Sequence, residues 1–440
     1  MQTKVPIPGN VIRLAYCLSH PIQYQEPLLR RIAAEPGIDL TVYYSSDFSA
    51  RQYYDRGFGR EVEWEIPLLS GYKYKILPRV PGTKNIYSAR PPSTGYLRAF
   101  LRAKHDVVWV HGYHTANALH ALIAAKLIGA KTLVRTDSTL LDRERSPAKQ
   151  RARKIFFSSL RRLVDGVLPV GIRNAEYWRA MLGADVPQFT LPYAVDNGWF
   201  AERAAAAAQT REELRAELGL APGRKVILFA AKLIERKRCV DLIQAYAQAF
   251  TSGAKAPSPG SAHIAGLKPG APTNQAQSTP DQEERHPYLL IVGDGAEAER
   301  LKQRAAEIDA DGIRFAGFRS QPEMPRFYDL CDVFCLPSVH EPWGLIVNEA
   351  MAAGRAVVVS DEVGSAADLV VDGETGFVHK ARDVRGLADA LRRVTSEPGL
   401  AAKMGLAGAV RIASWDYEAD VRGLKAALEF VTAKRRSAKS

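Results

Sequence analysis

The chain has 440 residues, 46% of them hydrophobic and 25% charged, with a formal net charge of +12 at pH 7. That length exceeds one compact core and suits two domains with a cleft between them. No window approaches the roughly 18 consecutive apolar residues that a spanning helix needs, so the chain is expected not to cross a membrane. The positive charge favours anionic partners without choosing among them.

The first apolar run, Val11–Leu18, follows a stretch containing one lysine and several prolines and glycines, and reads as a strand rather than a signal peptide. Cys17, Cys239, Cys331 and Cys335 show no CxxC or zinc-like spacing, which predicts small core residues in a reducing, cytoplasmic compartment and no metal site. From Val11 onward, apolar runs alternate with amphipathic stretches: VIRLAYCLS, PIQYQEPLLRRIAAE, IDLTVYYSS, then DVVWVHG, HTANALHALIAAKLIGA and KTLVRTDS. Strand–helix–strand repetition of this kind predicts a parallel sheet covered on both faces.

Between residues 145 and 163 the chain is basic without an acid and carries Ile155, Phe156, Phe157 and Leu160 between the charges. Two readings stand side by side there: a helix resting on anionic lipid, or a surface helix with its phenylalanines turned inward. The alternation continues to QFTLPYAVD, after which residues 197–222 are strongly helical and end in a turn, marking the expected interdomain linker. A second series, from KVILFAAKL to GLADALRRV, completes an α/β reading of two Rossmann-like domains, 1–196 and 223–410, facing each other across a cleft. Residues 252–287 are rich in Gly, Pro, Ala and Ser and are expected to be a disordered insertion. Residues 411–440 are expected to form a last amphipathic helix with a basic, frayed tail.

The segment HEPWGLIVNEAMAAG, 340–354, places a Pro342/Gly344 turn after a buried strand and starts a helix near Gly344. The first amides of that helix, at Trp343, Gly344 and Leu345, and the positive end of its dipole suit a phosphate. Glu349 falls about one and a half turns into the helix, where a carboxylate can accept hydrogen bonds from vicinal ribose hydroxyls. Glu341, on the loop, faces the position of a sugar. Taken alone, both glutamates also fit a loop charge and a helix-surface charge.

This segment resembles the Glu-x7-Glu motif of the family four retaining glycosyltransferases, and AAKLIERKR at 230–238 resembles that family's phosphate-clamp loop. The resemblance covers most of residues 11–430 and is strongest from 313 to 378. It implies the GT-B fold and transfer of a hexosyl group from a nucleotide-diphosphate sugar to a saccharide or lipid-linked acceptor. Configuration is retained, and cell-surface polysaccharide or glycolipid synthesis is the expected setting. It also implies that Glu341 lies near the donor sugar, that Trp343, Gly344 and Leu345 offer amides to sugar and phosphate, and that Glu349 holds the ribose. Lys232 and Lys237 then neutralise the departing diphosphate. Lys232 stands where the family usually has arginine, and Ala231 and Arg238 replace glycines of its pattern.

By the same resemblance, Gly293, Gly295, Phe318 and Ser338 frame the nucleobase. His111, ending a buried strand, meets the donor sugar, with His114 as a lesser candidate. His20 and Gln23 sit on the first cleft loop, and Asp137, at the next strand end, suits acceptor hydroxyls. No general base is named, because no second carboxylate pairs with Glu341 in the manner of retaining glycosidases, and no metal is expected, because Asp309-Ala310-Asp311 reads as a helix-ending turn; no cofactor is expected besides the nucleotide-sugar donor. Two other readings stand against this one. One is a GT-B sugar-nucleotide epimerase. The other is a non-catalytic nucleotide-binding module, and no aromatic-basic motif supports nucleic acid as its partner.

Overall fold

The computed structural model describes residues 11–55, 57, 60–62, 67–80, 93–141, 146–251, 286–309 and 311–436. Nearly all of the expected insertion, 252–285, lies outside the described residues, as do Arg145, Ala310 and the last four residues of the basic tail.

In the first half the strands are β1 (Ile12–Leu18), β2 (Ile38–Tyr44), β3 (Tyr53–Asp55), β4 (Arg60–Val62), β5 (Lys73–Ile76), β6 (Val107–His111), β7 (Lys131–Arg135) and β8 (Gly166–Val167). In the second they are β9 (Val226–Ala230), β10 (Tyr288–Val292), β11 (Ile313–Gly317), β12 (Val333–Leu336), β13 (Ala356–Ser360) and β14 (Gly376–His379). Among the described residues these build two six-stranded sheets, ordered β5-β2-β1-β6-β7-β8 and β11-β10-β9-β12-β13-β14, and one separate hairpin, β3-β4. Every pairing within the two large sheets is parallel. Strands such as VILFA and AVVVS are buried at each residue, as a sheet with helices on both faces requires.

In each sheet the chain runs outward from a central strand and then returns to build the other side. The reversal lies between β1 and β6 in the first sheet and between β9 and β12 in the second. Loops leaving the carboxyl ends of the two strands diverge at such a point and leave a crevice. Every predicted catalytic residue lies in or at the edge of loops leaving β6, β9 and β12.

Two elements depart from the expected domain map. The stretch 197–222 holds helices Asn197–Ala207 and Arg211–Glu217, and Phe200, Ala204, Leu214 and Leu220 pack into the core of the second sheet. It is therefore part of that lobe rather than a free connector. The last helix, Tyr417–Arg436, crosses back to the first lobe: Val421, Leu424, Ala427, Leu428 and Val431 share a core with Leu14, Tyr16 and Leu40. Arg31 grips Glu418 at 2.5 and 2.8 Å, Lys425 meets Glu35 at 2.8 Å, and the buried Arg135 and Asp420 pair at 3.1 Å.

The basic segment forms helix Pro147–Arg161 with Phe157 and Leu160 buried and Phe156 partly buried against the first core, while Ile155 is 69% exposed. Its aromatic face thus points inward, and Arg153 stacks over Phe157 and Tyr177. All four cysteines are free and buried. No helix among the described residues is long and apolar enough to cross a membrane.

Candidate active site

The helix that carries the Glu-x7-Glu motif is Leu345–Ala352, and Gly344 at its N-cap has φ +88°. A β-carbon at that glycine would lie 3.2 Å from both Leu336 and Val363, so conformation and space both call for glycine. The opening amides of a helix have no intrahelical acceptor, and Leu345 and Ile346 in this first turn line a cavity of about 250 Å3. Glu349, Phe318, Gly293 and Gln23 share its walls. Gly293, with φ +136°, lies so close to the strand β9 exit that a β-carbon would sit 1.9 Å from the Ala231 carbonyl oxygen.

Glu349 is held by the Tyr328 hydroxyl, which donates to its Oε2 at 2.5 Å. Burial pushes its carboxyl pKa up to about 7, with the Tyr328 hydrogen bond working against the shift. Glu341 is buried, and its Oε2 accepts from Lys237 Nζ at 2.5 Å. Its backbone is clamped by the next loop: Glu341 N donates to the Glu362 carbonyl at 3.2 Å, and Gly364 N donates to the Glu341 carbonyl at 2.9 Å. The two lysines expected to face a diphosphate each pair with a carboxylate. Lys237 pairs with Glu341, and Lys232 pairs with Asp55 of the opposite lobe at 2.8 Å.

On the first lobe, His111 ends β6 with its Nδ1 3.0 Å from the Tyr16 hydroxyl and 3.3 Å from the Gln25 side-chain nitrogen. Burial first, and then the nearby Arg135, lower its pKa to about 3, so the imidazole is neutral at pH 7. His20 is likewise lowered by burial, to about 4, and is fixed by Ser19 Oγ at 2.8 Å and by an edge contact with Phe48. Asp137 is half-buried beyond the end of β7; burial raises its pKa, and the nearby Glu341 charge adds to the rise. Asp137 lines a second, larger interdomain cavity together with His340 and Pro342.

Glu349, Phe318, Gly293, Leu345 and Gln23 are therefore assembled at one cavity, and Asp137 reaches the loop of Glu341 from across the cleft. Other expected residues lie apart from the cavity walls. Ser338 is fully buried, and its carbonyl accepts a hydrogen bond from Ser360 Oγ. Gly295, φ +154°, packs against Leu233. The Trp343 side chain is an interdomain wedge, stacked 5.8 Å from Trp415 and donating through Nε1 to Asn348 Oδ1 at 3.0 Å, which leaves only its backbone amide for a ligand.

Four residues absent from the sequence reading join the site. Tyr328 holds Glu349, Asp55 holds Lys232, Gln321 meets Gln23, and Arg60 stacks over Phe318 with 4.7 Å to the ring centroid. None is in a recognisable motif, and each partner is distant in sequence. Among the described residues no group of three His, Cys, Asp or Glu side chains is placed to hold a metal ion.

Residues 274–411 match the family described as Glycosyl transferases group 1. Glycogen synthase of Mycobacterium tuberculosis is 33% identical over 148 residues, which cover 33% of this chain and 35% of that protein. The D-inositol 3-phosphate glycosyltransferase of a Nocardioides species is 30% identical over 225 residues, 48% of this chain and 43% of that protein. The aligned segments thus span less than half of these curated relatives. A glycosyltransferase structure from Rickettsia africae superposes with a TM-score of 0.68 at 13% identity, covering 96% of this chain and 99% of that one. Anabaena HepE, solved in complex with UDP, gives 0.66 at 17% identity, covering 95% and 99%. Residues 274–411 thus match the group 1 glycosyltransferases, and the chain as a whole has the GT-B fold.

Proposed function

We propose that the protein transfers a glycosyl group from a nucleotide-diphosphate sugar to an acceptor hydroxyl bound against the first lobe. The observation that carries this is the cavity at the carboxyl edge of the second sheet, where Glu349, Phe318, Gly293 and the first turn of a helix converge beside the Lys237–Glu341 pair. Glu349 accepts from the ribose hydroxyls, and the helix amides and Lys237 take the diphosphate. Diphosphate binding draws Lys237 from Glu341 and leaves that carboxylate facing the sugar. Lys232 is released from Asp55 in the same way.

In the transfer, the acceptor oxygen bonds to the anomeric carbon as the bond from that carbon to the β-phosphate oxygen breaks. The hydroxyl proton passes to the departing diphosphate. Lysine charges stabilise the growing phosphate charge, and this reading needs no metal. Retention and a hexosyl donor follow from the resemblance of the Glu-x7-Glu segment. HepE is solved with UDP and with UDP-glucose, which makes uridine donors the first to try. A saccharide or lipid-linked acceptor is proposed, in a cytoplasmic setting that the four free cysteines support. Peripheral contact with anionic lipid is proposed through the exposed basic face of helix Pro147–Arg161.

The test is thermal stabilisation by UDP, GDP and ADP. A nucleotide at a hundred times its Kd should add about 2.7 kcal/mol of stability, and Glu349→Ala should abolish that gain. Indifference of the wild-type protein to all three nucleotides overturns the reading.

A further inference from the structure

The larger cavity, about 870 Å3, is walled by both lobes and is distinct from the cavity that holds Glu349. Its wall carries four cations, Lys149, Arg236, Arg238 and Arg382, against two acids, Asp137 and Glu235. Two of the cations are committed. Arg238 forks onto Asp241 at 2.8 and 2.7 Å, and Arg382 holds Glu362 at 3.0 Å. The other two are not: Arg236 donates to the His340 carbonyl at 3.0 Å, and neither it nor Lys149 has a carboxylate partner among the described residues. Both are exposed, one on each lobe. Asp137 is more deeply set, next to Glu341, and receives no hydrogen bond from another side chain among the described residues.

Depth thus sorts the chemistry of this wall. A carboxylate able to accept from a hydroxyl lies at the inner end, beside the residue that faces the donor sugar. Two cations without acidic partners among the described residues lie toward solvent. A neutral acceptor would leave both of them idle, whereas a phosphate ester satisfies an ammonium and a guanidinium together. Neither Lys232 nor Lys237 lines this wall or that of the smaller cavity.

We propose that this cavity is the acceptor site and that the acceptor carries a phosphate ester as well as the reacting hydroxyl, with Lys149 and Arg236 gripping the phosphate and Asp137 the hydroxyl. This rests on the glycosyl-transfer reading. The same phosphate chemistry is offered by a soluble sugar phosphate and by the headgroup of an anionic lipid.

The experiment titrates the full chain, saturated with the nucleotide that stabilises it, with inorganic phosphate, glucose, glucose 6-phosphate, and phosphatidylcholine vesicles with or without phosphatidylinositol. Glucose 6-phosphate should bind about tenfold more tightly than glucose, and Lys149→Ala or Arg236→Ala should each remove about that factor while nucleotide affinity is unchanged. Binding confined to the phosphatidylinositol vesicles and lost in the same two variants also supports the proposal and identifies the lipid source. The proposal falls if none of the phosphate probes is preferred, or if the preference survives both substitutions. It also falls if the variants lose the nucleotide, which would place these cations at the donor and leave the glycosyl-transfer reading standing. That reading fails separately, when no nucleotide binds.

Discussion

Glu349 couples two properties that pull against each other. A carboxylate enclosed at a cavity wall is costly to ionise, yet its proposed work is to accept hydrogen bonds from ribose as a carboxylate. With a pKa raised to about 7 in the folded state and an ordinary value in the unfolded chain, the folded protein binds the extra proton between those two values. Stability from this group is therefore present at acid pH and is lost as pH rises toward and through 7. Glu349→Gln removes the loss: without nucleotide, its melting midpoint should exceed the wild type's by about 2–4 °C at pH 8 and match it near pH 4. Equal midpoints at both pH values would show that Glu349 is not held against its charge. His111 presents the reverse case. Its lowered pKa keeps it neutral, so it offers a hydrogen bond rather than a charge to a donor sugar.

At the scale of elements, the last helix is the one whose assignment matters most. Tyr417–Arg436 follows the second lobe in sequence but completes the core of the first, with Leu424 and Ala427 wholly buried there. Leu424→Ala should cost about 2–5 kcal/mol in denaturant unfolding, the range for a large core side chain cut to alanine. A cost under about 0.5 kcal/mol, as for a surface site, would mean that the helix is only draped on the lobe. The hairpin β3-β4 shows another element-level effect. It brings Asp55 to Lys232 and Arg60 to Phe318, so the first lobe touches the donor side at two points.

For the whole molecule, one of the contacts that join the two lobes is a buried polar and aromatic set. Asn348 takes a hydrogen bond from Trp343 Nε1 on its oxygen and donates from its nitrogen to the Tyr193 carbonyl at 2.9 Å, and all three residues are buried. Asn348→Ala leaves a donor and an acceptor unsatisfied, each worth about 1–3 kcal/mol. Chemical denaturation should show that loss while nucleotide affinity, measured by titration, stays within about twofold. Loss of nucleotide binding with stability unchanged would make Asn348 a site residue rather than a strut.

Much of the fold was legible from residues 11 to 430 because parallel strands buried on both faces must be written as apolar runs, and their covering helices as amphipathic ones. The glycines were legible for a related reason: a φ of +88° at Gly344, or a backbone contact as close as that at Gly293, admits no other residue cheaply. Glu349 and Lys237 could be picked out because their segments resemble the Glu-x7-Glu and phosphate-clamp motifs. Their partners could not. Tyr328 on Glu349, Asp55 on Lys232, and the return of Tyr417–Arg436 to the first lobe depend on which surfaces meet once both sheets exist. Local pattern records how an element is buried, whereas the choice of neighbour is made by packing across 21 residues for Tyr328 and 177 for Asp55. The sequence alone determined two Rossmann-like lobes and the donor-side motif. Tertiary structure decided how that motif is held, which lobe owns the last helix, and which residues of the two lobes share the wall of the larger cavity, because each of these is a meeting of segments that carry no mark of one another.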